Sequence, residues 1–113
     1  MWICLNNAFI SVVSKGEDAS KLCVRARRRE HLAVLFPGAK IIVHGGTDYQ
    51  FRAYIARDEV ARVIGEALKN INYDNFKDSV KDKPLHNGYS RFWCIMQDVI
   101  EEKTDKGKPA AKK

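Results

Sequence analysis

With 113 residues, 45% of them hydrophobic and 30% charged, the chain can form one real core but not two, and the composition excludes a wholly disordered polypeptide. The formal net charge is +6, yet five lysines against Asp105 from Lys103 onward hold +4 of it, which leaves a body of only +2. Charge alone therefore does not demand a polyanionic partner.

The run from Trp2 to Leu5 and the run from Ala8 to Val13 are both β-rich and flank Asn6-Asn7. Asparagine tolerates positive φ, so this pair marks either a tight hairpin or a bulge in one long strand. The polar, glycine-containing stretch from Ser14 to Ser20 then predicts a hairpin between Ala8–Val13 and the strand that begins at Lys21.

Within Leu22–Arg27, Leu22, Val24 and Ala26 alternate with Cys23, Arg25 and Arg27, the period of a strand with one face on a core. Arginine falls on the other face. Glu30 to Phe36 changes to helical spacing through Leu32, Leu35 and Phe36, and Pro37-Gly38 stops it. Lys40 to His44 reads as a strand, Gly45-Gly46-Thr47-Asp48 as a turn, and Tyr49 to Ala56 as eight alternating residues. Their pattern predicts Tyr49, Phe51, Ala53 and Ile55 on one face, with Gln50, Arg52, Tyr54 and Ala56 on the other.

Asp58 and Glu59 suit a helix N-terminus, and Val60, Val63, Ile64, Ala67, Leu68 and Ile71 form an apolar stripe behind them. Tyr73 to Val80 predicts a short helix with Asp74 as cap and Phe76 and Val80 facing inward. Lys81 to Pro84 breaks the pattern. From Tyr89, the residues Phe92, Trp93, Met96, Val99 and Ile100 follow helical spacing, as expected of a docked helix. Residues 1–102 thus read as a single α+β domain and 103–113 as a mobile lysine-rich tail. The fold expected is an antiparallel sheet of four to five strands with helices on one face, ferredoxin-like over Lys21–Asn70 with an N-terminal strand completing the edge.

Three widely spaced cysteines (Cys4, Cys23, Cys94) without a Cys-x-x-Cys pair argue against a disulfide framework or zinc site and for reduced, core or half-buried thiols in a cytosol. The N-terminus has no basic n-region and its apolar run is interrupted, which argues against a signal peptide or membrane span. A cytoplasmic protein with no membrane partner is expected. His31, His44 and His86 have no metal-ligand spacing, no cofactor motif is present, and no Cys or Ser is set beside a histidine and carboxylate. Gly45-Gly46 is too short and too far from a helix N-terminus for a phosphate loop. The expectation is a protein that is not an enzyme.

The sharpest candidate is a surface. If both hairpins belong to one sheet, Arg25, Arg27, Gln50, Arg52 and Tyr54 share a side, with Arg28 and Arg29 at its corner. Interleaved arginine and tyrosine on an open sheet can bind RNA or single-stranded DNA, guanidinium groups meeting phosphates and the ring stacking on a base. The plainer reading is arginine that keeps exposed strands soluble, or a face covered by the last helix. Trp2, Phe9, Phe92 and Trp93 are alternatively a protein-binding surface, although most read more simply as core. The lysine-rich end adds salt-sensitive attraction to phosphate, or serves only solubility.

The opening Met-Trp-Ile-Cys-Leu-Asn-Asn-Ala-Phe-Ile-Ser-Val-Val, together with Leu22-Cys-Val-Arg-Ala-Arg-Arg, Leu35-Phe-Pro-Gly-Ala, Asp48-Tyr-Gln-Phe-Arg-Ala and Tyr73-Asp-Asn-Phe-Lys-Asp-Ser-Val, resembles a family of short bacterial and phage proteins of unassigned function. The likeness spans nearly everything before the lysine-rich end. It implies a bacterial or phage origin and a self-contained small domain, and it brings no site residues. Two function classes remain. One is a non-enzymatic binder of nucleic acid or of a nucleic-acid-handling nucleoprotein complex through the arginine face. The other is a protein-protein module, or a phage-type inhibitor or adaptor, with an aromatic contact surface.

Overall fold

The computed structural model describes residues 1–105 and shows an α+β fold. Five strands, β1 (Trp2–Leu5), β2 (Ala8–Val13), β3 (Lys21–Ala26), β4 (Ile42–Val43) and β5 (Phe51–Ala56), form one antiparallel sheet in the order β1-β2-β3-β5-β4. Helices α1 (Arg29–Leu35) and α2 (Arg57–Lys69) belong to the same compact unit, Met1–Asp74. A second unit begins at Asn75 and contains α3 (Phe76–Ser79) and α4 (Lys83–Asp105).

Asn6-Asn7 resolves as a tight hairpin: Leu5 lies opposite Ala8 and Trp2 opposite Ser11, so two residues make the whole connection. The run β3-α1-β4-β5-α2 is a split β-α-β arrangement, since β5 lies between β3 and β4 and is antiparallel to both. Strand β2 completes the other side of β3.

Alternation decides which residues form the core. Ile10, Val12, Val24, Ala26, Ala53 and Ile55 point to one face, where they meet Leu32 and Phe36 of the α1 region and Val60 of α2. Val63 and Ile64 pack on the same cluster. Full burial of side chains such as Ile10, Val24 and Leu32 stabilises the fold by about 1.5–3 kcal/mol each, which is how a seven-residue helix like α1 holds its place without a side-chain cap. His31 is buried beside Leu32, and its Nδ1 accepts the Phe9 backbone N–H at 3.2 Å. A histidine with that bond is a structural link between α1 and β2.

Several expectations need correction. Strand β4 has two residues rather than five, although His44 N–H still donates to the Gln50 carbonyl at 2.6 Å before the turn. Tyr49 does not share the face of Phe51. It precedes β5, in a turn where Asp48 Oδ1 accepts its N–H and Thr47 Oγ1 donates to its carbonyl, so strand alternation does not reach it. The stripe of α2 sinks only as far as Ala67: Leu68 is exposed, and Ile71 lies beyond the helix end and is exposed too.

The cap of α3 is Asn75, whose side chain accepts the Asp78 N–H, not Asp74. Helix α4 starts at Lys83, six residues before Tyr89, with Asp82 Oδ2 accepting the Leu85 N–H. Pro84 is no break there, because a first-turn residue has no intrahelical partner for its missing N–H. The helix also runs three residues into the segment read as a tail, and the tail beyond Asp105 lies outside the described residues. Cysteines 4, 23 and 94 are free; Cys23 is buried and Cys4 half-buried as expected, while Cys94 is exposed.

Within the second unit, Phe76 of α3 packs on Tyr89 of α4 with ring centroids 5.2 Å apart, and the Lys77 ammonium lies 4.2 Å from the Trp93 ring centre. Beyond that, Phe92, Trp93, Met96, Val99 and Ile100, expected to be covered, are exposed. No helix among the described residues is long and apolar enough to cross a membrane.

Candidate nucleic-acid interface

The two hairpins do belong to one sheet, and the register places Arg25 directly opposite Arg52 and Cys23 opposite Tyr54. Both arginines therefore project from the face away from the α1–α2 core. Like charges directly across a pair of strands repel, so something must hold them there. Tyr49 does. The Arg25 guanidinium carbon lies 4.7 Å from the centre of the Tyr49 ring and that of Arg27 4.9 Å, while Arg52 Nε donates to the Tyr49 carbonyl at 3.3 Å. Arg25 Nη2 also donates to Ser11 Oγ on β2 at 2.8 Å.

The cluster is partly desolvated. Tyr49 is 5% exposed and Arg52 9%, with Ser11 buried beside them; Arg25 is half-buried and Arg27 exposed. Among the described residues, no carboxylate forms an ion pair with Arg25, Arg27 or Arg52. Arg25 Nε is the one buried side-chain nitrogen or oxygen among them with no hydrogen-bond partner. Two guanidinium groups over one ring and a third on the backbone carbonyl of the same residue, with no carboxylate paired to them, gather positive charge in one place. Arginine in that setting binds phosphate or carboxylate oxygens through charge-assisted hydrogen bonds.

The remaining sequence candidates fall outside this cluster. Arg28 precedes α1 and reaches Glu30 at 4.0 Å, a long contact on a half-exposed side chain. Arg29 opens α1 and is exposed. Tyr54, although on the arginine face, packs its ring against the Gly16 loop, where a cleft of about 310 Å³ is lined by Gly16, Glu17, Asp18, Lys21 and Tyr54. Glu17 and Asp18 share that end of the face with Lys21. The Asp18 carboxyl is held below its ordinary value because it accepts the Ser20 hydroxyl at 2.6 Å and the Ser20 N–H at 2.9 Å, so it stays charged.

Sequence reasoning missed Tyr49 and Ser11. The signal for Tyr49 was the Thr47-Asp48 pair before it, both turn formers that take the residue out of the strand. Ser11 was legible from its place at the centre of β2 on the polar side of the alternation. His44 is exposed and His86 half-buried, and no group of three or more His, Cys, Asp or Glu among the described residues is placed to hold a metal. The chain matches no protein-family model, no curated protein and no solved structure.

Proposed function

We propose that this is a non-enzymatic binding protein that acts on nucleic acid, or on a nucleic-acid-handling complex, through the arginine cluster gathered on Tyr49. The observation that carries the reading is the charge of Arg25, Arg27 and Arg52, one of them buried and none paired with a carboxylate among the described residues, gathered on a single residue: Arg25 and Arg27 on the Tyr49 ring and Arg52 on its carbonyl. Arg27, the exposed member, meets phosphates first, joined by the exposed Arg29 at the start of α1 outside the cluster; Arg25 and Arg52 set the field behind them. Contacts made chiefly to phosphate carry no sequence information, so the ligand, a single-stranded nucleic acid, is expected to be bound with little sequence preference.

Fluorescence anisotropy with a short single-stranded RNA at low salt tests this. Affinity should fall steeply as salt rises, and Arg27→Glu with Arg29→Glu should abolish binding while the circular dichroism spectrum is unchanged. No binding by the parent protein at low salt, or full binding by the double variant, defeats the proposal. Because Arg52 is buried, replacing it would confuse stability with binding.

A second reading, a protein-protein module or phage-type inhibitor or adaptor with an aromatic contact surface, is favoured by Trp2, Phe92 and Trp93, all exposed. Capture from a nuclease-treated bacterial lysate separates the two. A partner retained after nuclease treatment speaks for the second.

A further inference from the structure

We infer that α4 is a dimerisation helix whose apolar stripe takes the same stripe of a second copy of this chain, running antiparallel and crossing near Met96. The inference rests on the aromatic surface of the second reading and names its occupant. Six side chains, Phe92, Trp93, Ile95, Met96, Val99 and Ile100, are each 40–59% exposed. At about 100° per residue they fall within an arc of roughly 160°, a contiguous stripe rather than scattered apolar residues. Within its own unit, α3 reaches the stripe only at its first turns, through Phe76 on Tyr89 and Lys77 on Trp93.

The area suits a second copy. Side chains of this size, half exposed, present on the order of 90–100 Å² each, so two stripes together bury roughly 1,100 Å², close to the lower bound for a specific stable interface. One stripe, about 550 Å², lies at the upper end of the apolar patches that monomers expose, where such patches are often functional.

Charge selects the orientation. In a parallel pair, both Lys77 ammonium groups and both Arg91 guanidinium groups would lie at one level. An antiparallel pair staggers them, sets Phe92 level with Ile100 of the partner, and opposes the helix dipoles favourably.

Sedimentation equilibrium of the full chain provides the test. The parent protein should sediment as a dimer, and Ile95→Glu with Val99→Glu should raise the dissociation constant by about 100-fold or more without loss of helix content, because both side chains already face water. The Met96→Cys variant should form a disulfide-linked dimer under a mild oxidant; the native Cys94, on the opposite side of α4, should not. A monomeric parent protein, or a dimer that survives the double glutamate variant while Met96→Cys fails to cross-link, overturns the inference. A monomer that nevertheless captures a foreign protein through the stripe would leave the second reading standing and still overturn this one.

Discussion

Truncating Tyr49 should reveal how much the arginine cluster depends on one ring. In Tyr49→Ala the ring, now 5% exposed, is lost from between Arg25 and Arg27. An aromatic side chain buries about 150–250 Å², which at ~25 cal/mol/Å² gives an upper bound of about 4–6 kcal/mol. Two cation–ring contacts add about 0.5–1 kcal/mol each, and the released guanidinium groups recover some of the loss by spreading into water. The net expectation is a destabilisation of roughly 3–4 kcal/mol. Tyr49→Phe keeps the ring and both contacts, and the hydroxyl has no hydrogen-bond partner among the described residues, so its cost should stay within about 0.5 kcal/mol. Urea unfolding at constant slope measures both. The reasoning fails if Tyr49→Phe is as damaging as Tyr49→Ala, or if Tyr49→Ala costs under about 1 kcal/mol, since the ring would then not be the element that holds the arginines.

Three further outcomes follow from local geometry. His31→Leu removes the acceptor of the Phe9 N–H and should lower stability by about 1–3 kcal/mol in thermal unfolding, more than its similar volume suggests; a neutral result would deny the bond its structural role. Gly16 has φ +104°, and a Cβ there would lie 3.1 Å from Tyr54 Cε1, so Gly16→Ala should cost about 1–3 kcal/mol and shift the Tyr54 ring resonances, whereas an unchanged spectrum would show that the loop relaxes freely. The Asp18 carboxyl, held below its ordinary value of 3.8 by the Ser20 hydroxyl and N–H, contributes to loop order above that value and loses the contribution as pH falls through its lowered folded value. The protection of the Ser20 amide relative to its intrinsic exchange rate should therefore hold near neutral pH and fall only below the ordinary carboxylate value of 3.8, and protection that vanishes well above that would contradict the geometry.

Much of the sheet was legible because strands write their two faces at a period of two. Leu22, Val24 and Ala26 against Cys23 and Arg25, and Phe51, Ala53 and Ile55 against Arg52 and Tyr54, both sort as the alternation predicts. The shared arginine face followed once the two hairpins were assigned to one sheet. What could not be read was tertiary. Alternation continues through Tyr49 in the sequence, but the ladder begins at Phe51, and hydrogen bonds in the preceding turn reorient the tyrosine toward the arginines. Helical spacing in α4 shows that Phe92, Val99 and Ile100 share a side without saying whether the same chain covers it. Pro84 looked like a boundary because its place within the first turn depends on Asp82 acting as the cap.

The central claim is that Arg25, Arg27 and Arg52 form an anion-receptive cluster on Tyr49. NMR titration of the arginine Nε–H resonances with a short single-stranded oligonucleotide tests it most directly. The account predicts that the Arg25 and Arg27 signals move together and saturate, Arg27 most because it is the exposed member of the cluster. Perturbations confined to the C-terminal lysines, with the Arg25 and Arg27 signals unmoved, would contradict it.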